Sequence, residues 1–222
     1  MTAKFQRARK PEEKEVRRQA ILKAARKLMG EVGSIDVGLN ELARRARLSK
    51  SNLYRYFESR EEVLLQVWIE EVRELVAVLA VSFERTPVGD VPAITEAIVE
   101  AFAAQPRMCE LTSIIASVVE RKLSAEAIFT AKSTLVELIV GVGAALHGRL
   151  PAVPLDECAW AAHTIGTYVV GLWPGANPGP TVREVMARPE LVAFNQDFRL
   201  EMTRFLDVFF RGLLHRRAAQ LG

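Results

Sequence analysis

Apolar residues recur at spacings of three and four almost throughout this 222-residue chain, and runs that alternate apolar with polar residues are absent. The pattern predicts an all-α protein. Pro11 suits a first helical position, and Glu12 and Glu13 suit the positive end of the helix dipole. A helix is therefore expected from Pro11, with Val16, Ala20, Ile21, Ala24 and Leu28 on its buried stripe and Gly33 as its stop. A short helix should follow from about Leu39 to Ala46, with Gly38 as a weaker N-cap and Glu41 as half of a capping box. The turn Arg47-Leu48-Ser49 then leads to a second short helix from about Lys50 to Tyr56, and two short helices around a tight turn make a helix-turn-helix candidate. Ser59 and Glu62 complete a capping box for a long helix, whose stripe is Val63, Leu64, Val67, Trp68, Val72, Leu75 and Leu79 and which ends by Pro87.

Beyond Pro87 the spacing predicts helices near 91–104, 107–121, 124–149, 155–173 and 194–216. Pro106, Pro151, Pro154 and Pro174 mark the breaks. The stretch "PGANPGP", residues 174–180, reads as a long loop before a short helix at 181–187.

Charge divides the chain more sharply than its total of +3 suggests. Residues 1–60 carry 16 Lys/Arg against 7 Asp/Glu, whereas residues 61–222 carry 14 against 20. A basic head on an acidic body fits nucleic-acid binding, with a basic membrane-surface helix as the competing source of such charge. The charge-free stretch Leu138–Leu146 is far short of the roughly 20 residues that span a bilayer, and no apolar signal region follows the basic N-terminus, so a soluble, cytoplasmic protein with no membrane partner is expected. Cys109 and Cys158 lie far apart and neither sits in a CxxC spacing, which argues for two buried thiols. His147, His163 and His215 lack the spacing of metal ligands, and no nucleophilic triad or carboxylate pair stands out; no metal, cofactor or enzymatic activity is assigned.

On the helix from Lys50, Leu53 and Phe57 share one face while the polar residues point elsewhere. Ser49 can cap that helix. Lys50, Ser51, Asn52 and Tyr54 have reach into a major groove, and Arg55, Tyr56 and Arg60, with Arg17 on the first helix, suit phosphates. The segment "LNELARRARLSKSNLYRYFESREEVL" resembles the DNA-binding segment of TetR-family transcriptional regulators. Its matching residues are Leu42, Ala43, Ala46, Leu48, Ser49, Leu53, Tyr54, Tyr56, Phe57, Ser59, Glu61 and Leu64. The resemblance implies a homodimer on a palindromic double-stranded DNA operator. Three N-terminal helices would bind DNA, and a larger C-terminal domain would dimerise and hold a small effector. The domains are then a basic flexible arm at 1–10, a helix-turn-helix domain at 11–58, and an effector-binding and dimerisation domain at 59–222. Two positions depart from the family pattern: its turn glycine is Arg47 here, and a lysine is Arg60. If the turn keeps a left-handed residue, Arg47 costs on the order of 1 kcal/mol.

In the body, Phe102, Met108, Cys109, Thr112, Phe129, Trp160, His163, Tyr168 and Trp173 are candidates to line an effector pocket. An apolar wall with a few polar groups is what such a pocket requires. Ala162, Gly166, Val169 and Val170, with Phe198, Met202, Phe205 and Phe209, are candidates for a four-helix dimer interface. The function expected is a one-component transcriptional repressor released or modulated by a small, largely apolar effector. The alternative is a helical small-molecule-binding or enzymatic protein with a vestigial basic head.

Overall fold

The computed structural model describes residues 11–34 and 36–221, so the arm at 1–10 lies outside the described residues. Every regular element among the described residues is helical. The chain forms two compact units, one ending at Val67 and one beginning at Trp68, so the division falls inside a helix and not at the predicted residue 58.

The first unit holds α1 (Pro11–Val32), α2 (Leu39–Arg45), α3 (Lys50–Leu53) and the opening of α4 (Arg60–Arg85). The α1 stripe is Ile21, Leu22, Ala25, Leu28 and Met29, whereas Val16 is 69% exposed and Ala20 is also exposed. The predicted stripe began too early because the first two turns of α1 have no core to face. Gly33 stops α1 as expected, with φ 85° and its N–H on the Met29 carbonyl. Leu42, Leu53, Phe57, Val63 and Leu64 complete this core. Ser59 caps α4 by accepting from the Glu62 N–H at 3.1 Å. The reciprocal bond is displaced by one residue, since the Glu62 carboxylate accepts from the Glu58 N–H.

The second unit contains the rest of α4, α5 (Val91–Ala103), α6 (Pro106–Ile114), α7 (Ala125–His147), α8 (Leu155–Ala176), the short α9 (Pro180–Met186) and α10 (Phe198–Leu221). The predicted helix at 107–121 is three pieces: α6, a π-helical segment Ile115–Val119 and a 3-10 turn Glu120–Lys122. Helix α8 packs on α6, α7 and α10, and α5 packs on α10. Gly143 lets α7 and α8 meet closely, because a Cβ there would lie 2.6 Å from the Ala159 Cα. Helix α7 is long and apolar enough to cross a membrane by length and composition. In this fold its apolar residues serve the contact with α8 and the cavity described below.

Two predicted boundaries move. Pro174 lies inside α8, which runs on to Ala176. Only the last turn follows it, so its missing N–H leaves few bonds unmade. Helix α10 starts at Phe198, because the Asp197 side chain accepts from the Leu200 N–H at 2.8 Å. Phe194 falls in a preceding 3-10 turn and is 71% exposed.

Candidate functional site

The basic tip is built from local chemistry. At the end of α2 the N–H of Arg47 donates to the Arg44 carbonyl and that of Leu48 to the Ala43 carbonyl, at 3.1 and 2.9 Å. This pair of bonds is a Schellman cap, which demands a left-handed residue at its centre. Arg47 supplies it with φ 55°, and Arg47 is the only residue other than glycine with positive φ among the described residues. Ser49 then caps α3, accepting from the Asn52 N–H at 3.2 Å. Helix α3 ends at Leu53, and Tyr54, Arg55 and Tyr56 continue it as a turn, shortening the predicted helix by three residues. Leu53 and Phe57 are buried at 0% and 1% exposure and fix the tip to its core. Ser49, Lys50, Ser51, Asn52, Tyr54 and Arg55 are all exposed on the other side, Tyr56 is half-buried, and Arg47 is exposed beside them. Arg17 is exposed on α1.

Other cations of this unit have internal work. Arg60 donates to the Val37 carbonyl at 2.6 Å, a structural bond where a phosphate contact was expected. The Arg18 guanidinium stands 5.2 Å over the Phe57 ring. Glu41, instead of forming half a capping box, takes Arg44 and Arg45 together at 2.8 Å each. Arg45 also reaches Glu31 at 2.5 Å. Hydrogen bonds from Arg44, then Arg45, hold the Glu41 carboxyl down at about 2, and the Arg45 bond lowers Glu31 as well. The tip therefore presents Arg47, Lys50 and Arg55 to an approaching polyanion, while α2 is locally neutralised.

The second unit encloses a cavity of about 370 Å³ between α4, α5, α6, α7 and α8, within the size range of small-molecule sites. Its wall is mostly aliphatic and aromatic: Val72, Leu79, Phe83, Ile98, Leu138 and Val142 are representative. Four of the nine predicted lining residues belong to it, namely Phe102, Met108, Thr112 and His163. The Thr112 hydroxyl accepts from the Trp68 indole N–H at 2.9 Å and donates to the Met108 carbonyl at 2.7 Å, so it is already satisfied. Beneath it, Arg107 donates two bonds to the buried Glu71 carboxylate and ties α6 to α4. The charged wall residues are Glu120 and Lys132, paired at 2.6 Å.

The other five predicted lining residues have different surroundings. Cys109 is fully buried with its thiol on the Phe102 carbonyl, and burial pushes that thiol up to about 12. Phe129 is 69% exposed on α7. Tyr168 stacks on Phe205, Trp160 packs against Phe209, and Trp173 meets the Phe198 ring edge-on. Periodicity marked these residues as buried or half-buried but carried no information on which inner surface they face. The lining residues it missed, Trp68, Leu138, Val142 and Lys132 among them, looked like ordinary stripe or surface positions.

The positions assigned to subunit contact are mostly engaged within the chain. Val169, Phe198 and Met202 are core, Ala162, Gly166 and Val170 lie in the cavity wall, and Phe205 and Phe209 belong to the ring stack between α8 and α10. The outward residues of these helices are Trp160, Gly171, Leu200, Val208 and Gly212. Open space lies above both glycines.

Residues 21–67 match the family model described as bacterial regulatory proteins, tetR family, and residues 65–217 match the tetracyclin repressor-like C-terminal domain. Comparison of the sequence with curated proteins finds no significant match. Among solved structures, a transcriptional regulator from Rhodococcus sp. Rha1 is similar with a TM-score of 0.58 at 18% identity, covering 89% of this chain and 97% of that one. PfmR, a TetR family transcriptional regulator from Thermus thermophilus, has a TM-score of 0.53 at 22% identity, covering 87% and 98%. The fatty acid degradation regulator FadR from Bacillus halodurans has a TM-score of 0.53 at 16% identity, covering 86% and 94%.

Proposed function

The chain belongs to the TetR family of bacterial regulatory proteins, and from that premise we propose that it is a repressor that binds a palindromic operator as a homodimer and is released by a small, largely apolar effector held in the cavity of its second unit. Regulators of this family bind DNA operators as dimers, respond to small-molecule effectors and are generally not enzymes. The observation that carries the reading is the α2–turn–α3 tip, where Leu53 and Phe57 are buried and Lys50, Ser51, Asn52 and Tyr54 face outward from one capped turn.

Base reading falls to Lys50, Ser51, Asn52 and Tyr54, and phosphate contact to Arg47, Arg55, Tyr56 and Arg17, with Ser49 orienting the tip. The second copy covers the outward faces of α8 and α10, where Gly171 and Gly212 permit close approach and Trp160 and Val208 supply apolar area. An effector acts by binding one conformation of the second unit more tightly than another, and only that difference shifts DNA affinity.

Selection of duplexes from a random pool, followed by fluorescence anisotropy, tests the reading. A palindromic sequence should be enriched, and Lys50→Ala and Tyr54→Ala should each weaken it by about tenfold or more with the fold intact. Failure to enrich any sequence, or unchanged affinity in both variants, counts against operator binding by this tip. Sedimentation at micromolar concentration tests the dimer, and a monomer there would overturn it.

A further inference from the structure

We propose that the effector is a lipophilic cation, an amine or guanidinium on an apolar body, whose charged end takes the place of Lys132 on the Glu120 carboxylate. The inference rests on the reading of this cavity as the effector site. Its wall offers few ways to recognise a polar group: the Thr112 hydroxyl is already spent on Trp68 and Met108, and the charged wall residues are Glu120 and Lys132.

The two partners of that ion pair are unequal. The Glu120 side chain is 20% exposed, whereas that of Lys132 is 50% exposed. A carboxylate ligand would have to draw Lys132 away, leaving the mostly buried Glu120 without its counter-charge and next to a second anion. A neutral ligand leaves the pair as it is and gains apolar burial alone. A cation keeps Glu120 paired, while the displaced lysine swings on its long stem into water, where an ammonium is well hydrated. Of the three charge types, the cation alone gains a charge-assisted hydrogen bond without stranding a buried group. Local backbone sets this arrangement: Ile115 and Ala116 of the π-helical segment and Glu120 at the head of the 3-10 turn all reach the cavity wall, and Arg121 and Lys122 beyond them are exposed.

Isothermal titration of the full chain with decylamine, decan-1-ol and decanoate tests the proposal. Decylamine should bind about tenfold more tightly than decan-1-ol, and decanoate should bind weakest. Glu120→Gln should erase the advantage of the amine while decan-1-ol still binds. Lys132→Met, which removes the internal competitor, should tighten decylamine; it lies on the half-exposed side of the pair and carries the test if Glu120→Gln does not fold. Tightest binding by decanoate, an amine preference that survives Glu120→Gln, or a Lys132→Met variant that binds decylamine more weakly would each overturn the assignment. Gly166→Leu, whose added side chain enters open space at the cavity wall, should weaken all three probes. Binding unaffected by Gly166→Leu defeats the cavity reading itself, whereas a blocked cavity with a preference for the acid defeats only the choice of head group.

Discussion

Replacing Arg47 with glycine separates two roles of one side chain. Arg47 sits at φ 55° because the Schellman cap of α2 requires a left-handed residue there, and an L residue in that region costs roughly 1–2 kcal/mol. Glycine escapes this cost but gives back roughly 0.5–1 kcal/mol through the extra freedom of its unfolded chain. Arg47→Gly should therefore stabilise the protein by about 0.5–1 kcal/mol, which for a chain of this length raises Tm by about 1–4 °C. Arg47→Ala keeps the strain and should leave Tm where it is. Both variants lose the guanidinium, which is exposed beside Lys50 and Arg55. If it meets a phosphate, each should weaken binding to the selected duplex and reduce the slope of log affinity against log salt by about 0.9 per lost contact. Scanning fluorimetry reads the first effect and anisotropy at several salt concentrations the second. A glycine variant no more stable than the parent refutes the strain argument. An unchanged salt slope in both variants refutes the phosphate contact.

Four further outcomes are expected. Gly143→Ala should destabilise by about 1–3 kcal/mol, because its Cβ would press on Ala159, while Gly141→Ala, which meets nothing within 4 Å, should hold or gain stability; chemical denaturation compares the two. Arg60→Ala should cost about 1–3 kcal/mol through loss of its charged bond to the Val37 carbonyl, and the same denaturation curves report it. Glu41 is depressed by its arginines, so the stability it contributes is present above the ordinary carboxylate range and lost as pH falls towards about 2; Glu41→Gln should flatten that part of an acid-unfolding curve. Cys109 and Cys158 are buried with thiols pushed up to about 12 and about 11, so a thiol reagent near neutral pH should label both slowly in the folded protein and rapidly in denaturant.

Features determined within a few residues were legible in the sequence. Gly33 as a stop, Ser49 and Ser59 as caps, and the alternation of buried Leu53 and Phe57 with exposed neighbours all follow from chemistry inside one or two turns. The left-handed turn at Arg47 was legible too, as a departure from the glycine that the resemblance led one to expect. Features that depend on what another helix does were not. Val16 has the spacing of a core residue but no partner to bury it. Arg60 has the charge of a phosphate ligand, yet a carbonyl 23 residues away claims it. Pro174 signals a break only where much of a helix would follow it. Aromatic spacing on α8 and α10 told that rings would be covered, but Tyr168 and Phe205 cover each other and leave the cavity wall to smaller side chains such as Ala162 and Gly166.

The π-helical segment at Ile115–Val119 differs from an α-helical path by about one additional residue per turn. Each residue of an α-helix turns the chain by about 100°, so deletion of one position here would rotate everything after it by that angle and carry the Glu120 carboxylate off the cavity wall. The ligand preference of this protein is thus coupled to chain length as well as to side-chain identity. Loss of a single codon in this stretch, with every lining residue retained, would be enough to convert a sensor of charged molecules into one of neutral hydrocarbons.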